Sequence, residues 1–293
     1  MSAFILKIIA VTSMCIDHLA VVLYGRDFPS WNMYLYMRAI GRLAFPLYCF
    51  MLVNGFEKTS NRKKYLSRLL MFAALSQIPF TMVFADANYG EISGLTALTF
   101  NYQLLPFLLL CLVAALAYLF LWDRSPSVIW LLLALLCSQI ELTYKGYELL
   151  GWHLSVFYTL SLGFAVISVI DGYLSKRLTI PGTLVRAVVI LLLIYLLQGR
   201  IDYEYLGVLL IAALYMCRSD RKAQTAAIVL WCCAYYRFVA VQLFYASFIT
   251  ALLIQFYNGK RGGPKHGNSL IKWGFYVIYP AHLLVLGLAN ILF

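Results

Sequence analysis

The sequence predicts an all-α fold, a polytopic membrane helix bundle of about ten to eleven transmembrane helices with its N-terminus in the cytoplasm. Three observations carry that expectation. First, 63% of the 293 residues are hydrophobic and only 12% are charged, whereas about 25% charged is usual in soluble domains; with a mean hydropathy of +0.83, there is too little polar side chain to face water on every side. Second, the apolar residues are gathered into runs of roughly the 20 residues that a helix needs to cross a bilayer core of about 30 Å. Third, Lys and Arg fall unequally on alternate loops. This pattern excludes a soluble enzyme, a disordered chain and a small disulfide-stapled domain.

Taken in order, the runs cover 3 to 24, 38 to 56, 66 to 85, 98 to 121, 127 to 143, 152 to 170, 183 to 198, 203 to 217, 223 to 236, 238 to 257 and 270 to 292. Charge, Gly, Pro or Asn breaks each from the next. The ninth and tenth nearly fuse around Tyr235, Tyr236 and Arg237, so ten spans is the alternative to eleven. A β-barrel would show weak alternation over about ten residues instead of unbroken apolar runs. With no internal repeat or low-complexity stretch, residues 1 to 293 are expected to form a single integral-membrane domain.

The formal charge of +11 is topological and not a nucleic-acid footprint. One set of loops holds fifteen basic residues, led by Lys58, Arg62, Lys63, Lys64 and Arg68, and the opposite set holds four, among them Arg26, Lys145 and Arg200. Cytoplasmic loops are the basic ones. For eleven spans, the N-terminus is then inside and the C-terminus outside, in a multi-pass protein of the cell (inner, cytoplasmic) membrane. The seven cysteines lie within or at the ends of apolar runs without regular spacing, and no metal site or disulfide frame is expected. The first run lacks a basic segment before it and contains Asp17 and His18, which marks a membrane helix and not a cleaved signal.

Function is sought among the polar residues at membrane depth, where a central charge costs about 2.5 to 3.5 kcal/mol. Lys7 and His18 are eleven positions apart, about 20° from a whole number of helical turns and roughly 16 Å along the axis. They share a face without touching. That geometry suits a substrate with an anionic end near the cytoplasm and a reacting end deeper in the membrane. Arg38 and Arg42, four apart on the second run, offer planar donor forks for phosphate or carboxylate, and Gly41 and Pro46 allow close approach or a kink. Asp202 lies in a cluster with Arg200 and Glu204 at an outer edge, and His282 follows Tyr279 and Pro280 in the last run, at a depth similar to that of His18. Structural readings stand beside these: Lys7 as a snorkelling anchor, Asp17 and His18 as partners of neighbouring helices, Arg38 as an interfacial residue, His282 as a hydrogen-bonded bundle histidine.

The blocks LKIIAVTSMCIDHLAVVLYG, MRAIGRLAFPLYCFMLVNGFEKTSNRKKYLSRLLMFAALSQIPF, RIDYEYLGVLLI and FYVIYPAHLL closely resemble the TraX family, whose named member acetylates the N-terminus of conjugative pilin. The ten residues between Lys7 and His18 also resemble the basic-x10-His signature of the wider membrane acyltransferases. The resemblance implies an acetyltransferase that carries acetyl from cytoplasmic acetyl-CoA to an extracytoplasmic acceptor, a pilin-like protein or a glycan. It makes His18 the catalytic histidine, as general base or acyl carrier, with Asp17 and Lys7 in support. Lys7, Arg38 and Arg42 are then the expected acetyl-CoA contacts; Asp202 and His282 are further candidates. Residues 91 to 103, EISGLTALTFNYQ, depart from the Asn-x-x-Phe-Thr-Leu run expected there. The competing classes are a transporter that uses Asp17, His18, Arg42 and His282 as an intramembrane relay, and a non-catalytic assembly factor for a surface appendage. Expected partners are membrane lipids, acetyl-CoA and the acceptor, with no nucleic acid.

Overall fold

The computed structural model describes residues 1–24, 30–84, 95–100, 130, 133–134, 140–144, 147–150, 153–236, 241–264 and 268–292. Most of them are helical. The helices are α1 (Ala3–Tyr24), α2 (Trp31–Gly41), α3 (Ala44–Lys58), α4 (Arg62–Phe84), α5 (Val156–Leu174), α6 (Ile180–Leu196), α7 (Glu204–Met216), α8 (Arg221–Tyr236), α9 (Val241–Gln255) and α10 (Asn268–Leu292). Three strands, β1 (Leu95–Phe100), β2 (Ile140–Tyr144) and β3 (Tyr147–Leu150), form an antiparallel sheet in the order β1-β2-β3. Among the described residues, α1, the α2–α3 stretch, α4 and α5 are long and apolar enough to cross a membrane. The protein is a membrane protein.

The second expected span, 38 to 56, is divided. Pro46 has no N–H to give the carbonyl of Arg42, and its ring crowds that carbonyl; α2 accordingly ends at Gly41 and α3 begins at Ala44. The Arg42 and Leu43 amides close the junction on the carbonyls of Arg38 (3.0 Å) and Ile40 (3.2 Å). The expected spans 98 to 121 and 127 to 143 need a correction at their described ends. Leu95–Phe100 pairs with Ile140–Tyr144, from Leu95 opposite Tyr144 to Phe100 opposite Ile140. LTALTF and IELTY are short, β-branched or aromatic, and interrupted by polar residues, the composition of strands; reading them by hydropathy alone joined them to the apolar stretches beside them. The bulk of both spans, together with Arg26, Lys145, Arg237 and the positions flanking β1 in the 91 to 103 segment, lies outside the described residues.

The chain groups into two compact units, Met1–Glu57 with Leu209–Leu286, and Lys58–Val208 with Gly287–Phe293. In the first, α1 packs on α2, α9 on α2 and α8 on α9, around a core that includes Leu6, Ala10, Phe45, Leu47, Phe50 and Tyr215. The opening turn of α1, whose amides lack partners within the helix, is tied to the segment before α10: Ala3 and Phe4 donate to the carbonyls of Lys260 (2.9 Å) and Arg261 (3.0 Å). At the end of α3, Glu57 pairs with Arg218 at 3.4 Å.

In the second unit α4 packs on α5 and on β3, and α5 packs on α6. Arg62 and Arg177 both donate to the Asp171 carboxylate, so part of the basic population serves helix ends. Thr179 caps α6 by accepting from the Gly182 amide, with Pro181 in the first turn, the residue types that favour a helix start. No α6 residue is buried: Ile180, Leu184, Val188, Leu191 and Tyr195 form an exposed apolar stripe, a face suited to lipid.

Gln77 supplies the polar joint of this unit. Fully buried in α4, it donates to the His153 carbonyl (2.6 Å) and accepts from the Ser155 amide (3.2 Å), so the backbone entering α5 is satisfied by one side chain. Gln77→Leu would strand both backbone groups at about 1 to 3 kcal/mol each. A thermal midpoint in detergent lowered by several degrees is the expected outcome; an unchanged midpoint would show that the joint contributes little.

Candidate functional site

The site lies in the first unit, where α1, α2 and α10 bring together residues far apart in the sequence. Asp17 and His18 are both buried at 8% exposure. Consecutive helical residues diverge by about 100°, and the two side chains engage different helices. Asp17 meets α2: its Oδ2 accepts from Arg38 at 2.8 Å, and its Oδ1 lies 3.6 Å from Arg42. His18 meets α10, where its Nδ1 is 2.6 Å from His282 Nε2.

The break before Pro46 matters here, since it ends α2 with Arg38 one turn before Arg42 and both beside Asp17. Gly41 lies between them, and a Cβ at that position would overlap the Asp17 carboxylate. The close approach of α2 to α1 therefore requires glycine. Arg38 also lies over the Tyr34 ring at 5.9 Å from its centre. Two guanidiniums face one carboxylate here, a donor set that fits an oxyanion or another anionic group.

The imidazoles of His18 and His282 are within 7° of parallel, with centroids 4.9 Å apart. Because the nitrogens are 2.6 Å apart, that centroid separation is reached only when the two ring centres and the two nitrogens lie nearly on one line. The rings are thus side by side in one plane, the favourable direction for a ring N–H donor and a ring lone pair. Tyr279 presents a T-shaped contact to each ring, at 6.0 Å from His18 and 5.8 Å from His282. His282 also bonds through Nδ1 to the Ile278 carbonyl at 2.7 Å.

Lys7 lies toward the start of α1, its Nζ 5.3 Å from the centre of the Phe275 ring, and Phe4 contacts the same ring edge-on at 5.9 Å. Contacts advance together along both helices, from Phe4 and Lys7 with Phe275 to His18 with Tyr279 and His282, so α1 and α10 run in the same direction. The structure thus gathers Asp17, Arg38 and Arg42 into one cluster and His18 with His282 into another on the adjoining face of α1. Lys7 stands on α10 at the other end of the helix. Asp202 belongs to the second unit, where its backbone carbonyl accepts from Thr159 and its amide donates to the Leu154 carbonyl (3.3 Å).

Two contributions were not assigned from sequence. Gly41 is read there only as allowing close approach, and Tyr279 only as preceding Pro280. Position 279 is three before His282, the spacing that puts two residues on one helix face, which is the signal that would have found it.

Gly41→Ala is expected to push α2 off α1, lengthening the Arg38 to Asp17 contact, at an overpacking cost of about 1 to 3 kcal/mol. Thermal unfolding of the purified protein in detergent measures this; a midpoint equal to that of the unsubstituted protein would show that the helices have room to part.

A stretch of 79 residues, 27% of this chain, is 47% identical to the "Probable fimbrial assembly protein FimC, serogroup H1" of Dichelobacter nodosus. The match spans 31% of that protein's length. No solved structure matches. The family model described as "TraX protein" matches residues 2–150 and 105–290, nearly the whole chain and all three helices that build the site, and the chain therefore belongs to the TraX family.

Proposed function

We propose that this protein is a membrane-embedded acetyltransferase that takes acetyl from cytoplasmic acetyl-CoA and delivers it to an acceptor at the outer face of the inner membrane, with its N-terminus in the cytoplasm. The observation that supports this reading best is the buried His18, in line with His282 and one residue from an arginine-carboxylate cluster. Acyl transfer from a thioester needs a base for the attacking hydroxyl or amine and donors for the developing oxyanion. His18 fills the first role. Arg42 and Arg38 supply the second, or hold an anionic group of the substrate. Asp17 fixes the two guanidiniums, a different task from the support of His18 expected from sequence. Lys7, roughly 16 Å nearer the cytoplasm along α1, suits the phosphate end of acetyl-CoA. The acceptor class is a protein amine or a glycan hydroxyl, and the name of the fimbrial relative favours a component of a surface appendage.

The same name also favours a non-catalytic assembly role, and one experiment separates the two. Radiolabelled acetyl-CoA is supplied to the cytoplasmic face of inverted membrane vesicles, and label reaching protein and glycan inside them is counted. The unsubstituted protein should transfer acetyl, and His18→Ala, present in the membrane at equal amount, should be slower by about a hundredfold or more. Transfer by His18→Ala at the unsubstituted rate would sink the assignment of the base. Assembly of appendages without any acetyl transfer would leave the assembly role.

A further inference from the structure

The hydrogen bonds around His282 determine more than its position. Its Nδ1 lies 2.7 Å from the Ile278 carbonyl, and a carbonyl only accepts, so Nδ1 carries the proton. In the neutral ring Nε2 is then the lone-pair nitrogen. That nitrogen is 2.6 Å from His18 Nδ1, which must therefore be the donor. His18 is left with its lone pair at Nε2. The chain of assignments starts from a backbone oxygen and passes from one neutral ring to the other.

We propose that His282 is a positioning residue that locks His18 in its Nδ1–H tautomer and holds the proton that His18 takes up during acyl transfer. This rests on the acetyltransferase reading and adds to it the path of the proton. As the acceptor's oxygen or nitrogen attacks the acetyl carbon, its proton passes to His18 Nε2. The His18 Nδ1–H bond breaks and that proton moves to His282 Nε2, so His18 is neutral again and His282 is the imidazolium, bonded through Nδ1–H to Ile278. When the carbon–sulfur bond breaks, the two transfers reverse: His282 Nε2 returns its proton to His18 Nδ1, and His18 Nε2 gives its proton to the departing thiolate. The acceptor has lost one proton, the thiol has gained one, and both histidines end as they began.

The in-plane geometry is what such a transfer needs, because a proton crosses between two ring nitrogens along the line of their lone pairs. Tyr279, edge-on to both rings, keeps them in one plane.

Two measurements test the proposal on the full-length protein in lipid nanodiscs. The chain has four histidines, so selective ¹⁵N labelling with magic-angle-spinning NMR resolves each ring, and single substitutions assign the signals. His18 and His282 should both be protonated at Nδ1 and bare at Nε2, the minor form of free histidine, with magnetisation passing from His18 Nδ1–H to His282 Nε2. An Nε2–H form of His282 would overturn the lock, whatever the enzyme does. The second measurement is thiol release from acetyl-CoA in mixtures of light and heavy water. His282→Gln keeps an acceptor oxygen for His18 but has no second ring to hold the proton. Its kcat should fall tenfold or more, its KM for acetyl-CoA should stay within twofold, and the bowed dependence on heavy-water fraction should become linear. Unchanged kcat and an unchanged bowed dependence would overturn the relay, with His18 intact as base. Full activity in His18→Ala would instead sink the acetyltransferase reading of His18 while the tautomer signals remain.

Discussion

The pairing of Asp17 with Arg38 and Arg42 is the contact on which the arrangement of the site depends. A lone carboxylate or guanidinium in lipid is expensive, and removing one partner of a buried pair costs more than the pair contributes, so α1 and α2 are held at the one separation and rotation that lets all three groups meet. Gly41 sets how near the two helices come. Because Asp17 and His18 are consecutive, fixing the first on α2 turns the second by about 100° toward α10. The ion cluster thus aims a histidine that it does not need to touch.

That aim would be idle without a partner at the right height on α10. The segment ahead of that helix ties down the opening turn of α1, through Lys260 and Arg261, and the two helices run in the same direction. Phe275 meets Phe4 and Lys7 near that end, and His282 meets His18 further along. Backbone hydrogen bonds at one end therefore contribute to a side-chain register at the other. The second unit is organised differently, with the buried Gln77 and the shared Asp171 carboxylate holding helix ends.

The chain belongs to the TraX family, and one relative, similar over part of the chain, bears the name of a fimbrial assembly protein. In this chain a histidine pair lies beside an arginine-carboxylate cluster, kept as separate contacts on neighbouring faces of one helix. The separation has a chemical use. Hydrogen-bonded to His282, His18 is in contact with a group that can take up a proton, whereas the Asp17 carboxylate faces the two arginines.

Several features were legible in the residues themselves. Apolar runs and the scarcity of charge determined that the solvent is lipid, and the limits of α1, α4 and α10 follow closely from the runs, because a helix in lipid must satisfy its own backbone and shows this as unbroken hydropathy. The unusual residues were visible for the same reason: Asp17, His18, Arg38, Arg42 and His282 stand out against an apolar background. Hydropathy carries no direction, however, and could not tell the short strands Leu95–Phe100 and Ile140–Tyr144 from the ends of longer spans. Nor could it say that Asp17 turns to α2 while its neighbour turns to α10. Spacing along a helix fixes which residues share a face, but the partner of each face is chosen by another helix, 21 positions away for Asp17 and 264 for His18. The meeting of His18 with His282 across 264 positions was therefore decided by tertiary packing, which no spacing along a single helix encodes.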